Sequence, residues 1–253
     1  MECDEKDPLD TDVQMATVTR YPYAQDVYLA MWVNYRHFGD SKKAKDLGFP
    51  GGIRINDGVQ DVQLAVSRDG INWSRSDRRP YVDLGPPGGP EGGVLWPTQG
   101  MIRRGDEIYE YYCGQARTHG DPPTYEGQGG IYRLVQRLDG FVSADAGPQG
   151  GWFTTPPLAF SGTRLEFNLN ASALGYLAVK IQDEEGDPIP GYTFNESLPI
   201  DRNCLAAPAR WNSGKTIAEL QGRTIRLHVT MRSCKLYAFQ FREHQKPLSA
   251  SLR

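Results

Sequence analysis

Two Asp-Gly pairs, Asp69-Gly70 and Asp139-Gly140, each close an alternating run, DVQLAVSRDGINWSR and GIYRLVQRLDGFVSA. An Asp-Gly pair between apolar/polar alternations is a strong hairpin signal, because the tight turn needs positive φ at its centre. Each pair ends a longer unit. DVYLAMWVNYRHF leads through a long loop into the first, and DEIYEYYCGQARTH leads through another into the second. Both units contain an aromatic-rich strand ending near a histidine, His37 or His119. A recurring strand–loop–strand–turn–strand unit is how a propeller blade reads in sequence. A meandering sandwich would give the same two copies. Within either scheme Asp69 and Asp139 are turn residues, and Trp73 and Phe141 are spaced to fill the gap beside a neighbouring blade.

The rest of the chain agrees with an all-β class. Glycine at 28 and proline at 18 are abundant, and no long apolar stretch has a 3.6-residue period. After Gly147 the strands lengthen, as in TRLEFNLNAS, GYLAVKIQ and RLHVTMRSCKLYAFQF, with a turn cluster at EEGDPIPG. Residues 1–148 therefore read as a propeller-like region with strands for two to three blades. Residues 149–253 read as an antiparallel β-sandwich, with the boundary between Ala146 and Gly151.

Several functions are disfavoured by composition. A net charge of −3 leaves no basic footprint for nucleic acid. No apolar run reaches membrane-spanning length. Cys3, Cys113, Cys204 and Cys234 are scattered without metal-ligand spacing, and Cys113 and Cys234 read as small apolar strand residues. Serine-elbow, Walker and dinucleotide fingerprints are absent, so no cofactor is expected. The acidic start MECDEKDPLDTD is not a secretory signal. Localisation stays unknown, with export expected only if a missing amino-terminal part carries a signal peptide.

SRDGINWSR, the Gly-rich GGPEGGVLWPTQG with its acid, and the strand ending YYCG resemble blades of five-bladed β-propeller glycoside hydrolases of the levanase-invertase and arabinanase-xylosidase families. RLDGFVSADAG, GGWFTTPPLAFSGTRLEFN and MRSCKLYAFQF resemble the junction and carboxy-terminal sandwich of propeller proteins related to the levanase-invertase group. The resemblance implies glycosidic-bond hydrolysis by paired carboxylates on an oligo- or polysaccharide. Two departures accompany it. The families' first-blade acid, often in Asn-Asp-Pro, has no counterpart here, since Asn56-Asp57-Gly58 is followed by valine. Five blades also need about twenty strands, so the chain is expected to be the carboxy-terminal part of such a propeller, with an open blade edge available for self-association.

Glycoside hydrolysis needs one carboxyl group as acid and a second as base or nucleophile. Glu91, between PPGGP and GGVLWP, is the first candidate, and the resemblance makes it the counterpart of the acid on a middle blade. A solvated loop carboxylate is the competing reading. Asp61 is the second catalytic candidate, placed to stabilise positive charge at the sugar ring or to hold up the pKa of the acid. Its rival reading is an edge residue before a strand. Asp57 joins the expected substrate-binding set, against a plain turn role. His37 and His119 are candidates for sugar hydroxyls or proton donation, and Arg36 and Arg117 for orienting a carboxylate or acidic sugar. Trp32, Tyr35 and Trp96 offer flat faces for stacking, although packing between blades competes, above all for Trp32. The carboxylates of Asp183, Glu184, Glu185 and Asp187 read as a solvated turn rather than a calcium site, so no metal is expected. Asn170 and Asn195 match a glycosylation pattern that is common by chance. A non-catalytic carbohydrate-binding module and a structural or interaction protein remain the alternative functions.

Overall fold

The computed structural model describes residues 3–8, 10–38, 57–120 and 129–243, so Asn56 of the expected turn lies outside the described residues. The chain is all-β: thirteen strands and one 3-10 turn (Ile217–Leu220) make up the described secondary structure. It divides into two compact units, Met1–Arg137 and Leu138–Arg253.

In the first unit β1 (Thr11–Arg20), β2 (Tyr28–His37), β3 (Gly58–Ser67) and β4 (Trp73–Ser74) follow one another as an antiparallel meander, the pattern of one blade. β5 (Val94–Pro97) and β6 (Ile102–Arg104) both pair with β7 (Glu107–Gln115), whose other edge takes β8 (Gly129–Arg137). A single parallel bridge, Gln60 with Val94, joins the two groups into one curled eight-stranded sheet. β2 and β3 are covered on both faces, which explains their near-continuous burial. One face supplies Met31, Val33 and Val62 to a core completed by Val82, Leu95 and Tyr112. The opposite face carries Trp32, Asn34, Asp61 and Gln63, since cross-strand partners share a side of the sheet.

The Asp69 turn is built from its own side chain. Asp69 Oδ1 accepts the N–H groups of Ile71 (2.8 Å) and Asn72 (2.7 Å), and Gly70 takes φ 75°. Hydrogen bonds from Asn72, side chain and backbone, hold the Asp69 carboxyl well below the usual range. The second Asp-Gly pair behaves differently. Here Asp139 itself adopts φ 61°, and Asn168 Nδ2 donates to the Leu138 carbonyl at 2.7 Å. The segment beyond it, β9 (Ala144–Ala146), does not return to β8. It pairs instead with β13 (Arg226–Arg242) of the second unit.

That unit is organised by one long antiparallel strand pair. β11 (Arg164–Gln182) runs antiparallel to β13, with register shifts at Asn168/Leu169 and Ala171/Tyr176. Bulges bend a strand pair, and the two halves recruit different partners. β12 (Asn203–Pro208) and β9 flank the outer half, and β10 (Gly151–Thr154) flanks the other. Both halves face one core containing Leu165, Phe167, Leu177, Val179, Leu227 and Val229, closed by Ile217 and Leu220 of the 3-10 turn. Asp183 Oδ1 caps the EEGDP turn by accepting the N–H groups of Gly186 and Asp187.

The acidic amino-terminal segment is part of the first unit. Asp7 and Arg75, whose side chains are 4% and 5% exposed, pair at 2.5 Å, and Arg78 reaches the same carboxylate at 2.9 Å. Arg75 in turn lies 4.2 Å over the Trp32 ring. Burial pushes the Asp7 carboxyl up, but the bonds from Arg75 and Arg78 outweigh it and leave the group below its usual range. Asp7→Asn is expected to destabilise the protein by about 1–3 kcal/mol at pH 7, because it removes the buried charge paired with Arg75 and leaves that guanidinium with Gln63 at 3.3 Å and Asp4 at 3.5 Å. A depressed folded value stabilises above the unfolded carboxylate range and is lost as pH falls through the folded value. Urea titrations of both proteins should therefore converge as pH drops below about 4.

Candidate functional site

The end of β2, the starts of β3 and β5 and the end of β7 converge at one end of the curled sheet. Gln60 N–H donates to the Gly93 carbonyl (3.0 Å), Gly93 N–H to Gln115 (2.9 Å), and His119 N–H to Gly58 (2.9 Å). Glycine is required at two of these crossings. A Cβ on Gly93 would lie 1.9 Å from the Arg117 carbonyl oxygen, and one on Gly58 2.1 Å from that of Arg36.

Asp61 stands on β3 directly opposite Asn34 of β2. Its Oδ1 accepts Asn34 Nδ2 at 2.9 Å, and its Oδ2 pairs with Arg36 Nη2 at 2.6 Å. The Asp61 side chain is 3% exposed and that of Arg36 42%, so a buried carboxylate anchors a guanidinium that reaches the surface. Burial pushes the Asp61 carboxyl upward, and Asn34 and Arg36 pull against that. Asn34 Oδ1, Arg36 Nε and Gln60 Nε2 are buried without a hydrogen-bond partner among the described residues. Trp96 Nε1 donates to Gln60 Oε1 at 2.6 Å.

Glu91 sits in the loop before β5, its carbonyl held by Gly85 N–H at 3.0 Å. Its side chain crosses over Gly114, where an added Cβ would come within 2.8 Å of Glu91 Cγ. The Tyr112 hydroxyl donates to Glu91 Oε1, and the Tyr112 ring stacks on Tyr132 with centroids 5.3 Å apart. Burial and the Glu91 carboxylate raise the Tyr112 phenol, so it remains a donor.

Asp57 ties two loops together: its Oδ1 accepts the N–H groups of Gly58 (2.7 Å) and Gly120 (2.8 Å). The two histidines meet on one ring. Buried Tyr35 has His37 at 4.1 Å and His119 at 4.7 Å between centroids, and burial together with Asp57 raises its phenol to about 12. His37 Nε2 also contacts Asp12 Oδ2 at 2.7 Å. Arg117 Nε donates to Gln115 Oε1. Trp32 is buried under Arg75.

The strand ends thus gather Asp61 with Arg36, Asp57 with Gly120, and Tyr35 with His37 and His119. Among the described residues Glu91 and Asp61 share no hydrogen-bond or ion-pair partner. Four contributors were not singled out by sequence reasoning. Asn34 reads as an ordinary polar strand residue, and Tyr112 as one more aromatic in YEYYCG. Asp83 lies near enough to Asp61 to raise its carboxyl further. Glu110 is buried with Tyr81 (2.6 Å) and Gln136 (3.1 Å), and burial raises it. Alternation in EIYEYYCGQ was the available signal, because it puts Glu110 and Tyr112 on the inward face with Ile108.

No family profile matches the chain, and no curated protein matches it. Among solved structures it is similar to a glycoside hydrolase family 43 arabinoxylan arabinofuranohydrolase from Bacillus subtilis, crystallised in complex with cellotetraose. The match has 12% identity and a TM-score of 0.25, and covers 90% of this chain and 54% of that one. The chain spans about half the length of that enzyme.

The Asp61 arrangement predicts an asymmetry. Arg36→Ala leaves a buried carboxylate with only Asn34, at a loss on the order of 3 kcal/mol. Asp61→Asn should lose less, because the Arg36 head reaches water. A buried carboxyl with a raised folded value takes up its proton before the unfolded chain does, so its stability contribution rises as pH falls through that value. Chemical denaturation from pH 8 to pH 4 should show the Arg36→Ala deficit shrinking toward low pH.

Proposed function

We propose that the chain is a carbohydrate-active protein of the glycoside-hydrolase type, with its site at the converging strand ends. The observation that carries this reading is the Asp61–Arg36 pair, a buried carboxylate holding a guanidinium that reaches the surface, with the unpartnered buried atoms Asn34 Oδ1 and Arg36 Nε beside it. Leaving such atoms unsatisfied costs about 1–3 kcal/mol each, a pattern that calls for a bound polar partner. A sugar, with hydroxyls that donate and accept, supplies one.

In this reading Glu91 is the catalytic residue. Tyr112 engages Oε1 and leaves Oε2 for proton exchange with the glycosidic oxygen or with water. Asp61, with both oxygens committed, is the second carboxylate in a fixed role. It orients Arg36 toward substrate hydroxyls and provides negative charge for the oxocarbenium-like transition state. Asp57, Tyr35, His37, His119, Arg117 and Trp96 line or brace the same strand ends as substrate-binding candidates.

Turnover should be measured on aryl-glycosides and on fructan, arabinan and algal polysaccharides, with Glu91→Gln beside the unaltered protein. The expected result is hydrolysis of at least one substrate, reduced by about a hundredfold or more in Glu91→Gln. Asp61→Asn is expected to raise KM through a misplaced Arg36 as well as lower kcat. Equal rates for the unaltered protein and Glu91→Gln would remove Glu91 from the mechanism. Absence of turnover on every substrate would reject catalysis by this chain.

A further inference from the structure

The outer face of the second unit's sheet combines features that the catalytic reading does not use. Along β13 the inward positions Leu227, Val229 and Met231 fill the core, which turns Arg226, His228, Thr230 and Arg232 to the other side. Their cross-strand partners on β11 are Gln182, Lys180, Ala178 and Tyr176, and on β10 Thr154 faces His228 and Trp152 faces Thr230. These rows hold three cations and no carboxylate.

At their centre is an aromatic platform. Trp152 is 71% exposed, an unusual state for the largest side chain. Its indole is not loose, for it stacks on the His228 imidazole at 5.2 Å and 22°. Phe194 meets the same imidazole edge-on at 5.4 Å, and Lys180 Nζ stands 5.3 Å from the Phe194 ring centre. Thr154 Oγ1 contacts His228 Nδ1 at 2.7 Å. With the threonine hydroxyl as donor, the ring proton is on Nε2, available to an acceptor. Burial and Lys180 lower the imidazole's proton affinity, which keeps it neutral near pH 7.

We infer that this face is a second, non-catalytic carbohydrate site, specific for a glycan bearing carboxylates, with Trp152 as stacking platform and Lys180 as carboxylate partner. Each group matches one part of a uronate residue. The C–H face of a sugar ring packs on the indole face that His228 leaves open. Ring hydroxyls find His228 and Thr154. The carboxylate finds Lys180, with Arg226 and Arg232 extending the positive field along the strand. A neutral glycan would use the platform and leave the cations unanswered, which is why charge complementarity selects an acidic one.

The test is titration of the full chain with an oligogalacturonate, followed by tryptophan fluorescence and calorimetry, with a neutral cello-oligosaccharide of equal length for comparison. Trp152→Ala and Lys180→Gln alter exposed or half-exposed side chains, and circular dichroism checks their folding. The expected outcome is tighter binding of the uronate, weakened by added salt. Trp152→Ala should lose roughly tenfold or more in affinity for both sugars. Lys180→Gln should lose the preference for uronate while keeping the neutral sugar. Trp152→Ala should hydrolyse any aryl-glycoside the unaltered protein turns over at the same rate, so failure of the catalytic reading and failure of this one are read separately. Binding unchanged in Trp152→Ala, equal affinity for both sugars, or no binding of either would overturn the inference.

Discussion

The register of β2 against β3 is the constraint on which the first unit depends. Asn34 faces Asp61 and Arg36 faces Val59, while Val33 faces Val62 on the other side. A slip of one residue would exchange the two faces. It would drive Asn34 and the Asp61 partners toward Leu95 and Tyr112 and leave Met31 and Val33 facing charges. Most half-exposed sheets have one buried face to specify register. Here both faces are covered by different material, apolar on one side and hydrogen-bonded or ionic on the other, so the register is specified twice.

The ionic face is continuous with the amino-terminal segment. Asp7 grips Arg75 and Arg78, and Arg75 covers Trp32, which lies two positions from Asn34 along the same face of β2. A composition rich in acids thus performs a packing task as well as a solvation one. It also explains why Trp32 offers no ring face to a ligand: its face is already taken by a guanidinium.

Local chemistry was legible in the sequence where it is self-contained, and illegible where distant strands decide. Asp69-Gly70 forms its hairpin because the aspartate satisfies the turn's N–H groups unaided. Asp139-Gly140 is the same dipeptide, yet the chain after it pairs with β13, a choice made by the cores of Leu236 and Cys234 and not by the turn. The all-β class followed from alternation and turn chemistry, which act everywhere along the chain. At the site, His37 and His119 stood out by matching position in two copies, but nothing local showed that both rest on Tyr35. Tyr112 was invisible because alternation assigns it to the core, and it is indeed buried. Its function as a donor to Glu91 depends on Gly114 leaving room for that side chain, a three-residue coincidence between one strand and a loop.

Trp152 of the second unit is held differently from the aromatic rings at the first unit's strand ends. In the first, Trp32, Tyr35, Trp96 and Tyr112 have their faces or polar atoms engaged by neighbouring protein groups, which makes them rigid supports for the carboxylates and guanidinium nearby. In the second, the sheet's inner face is wholly apolar, so packing is satisfied without Trp152. An outward tryptophan braced by an imidazole contributes nothing that the core requires. Catalysis needs charges held fixed and partly shielded, whereas stacking needs a flat face held open. On the proposed reading, a chain that carries both on separate units grips a polymer at one place and acts on it at another.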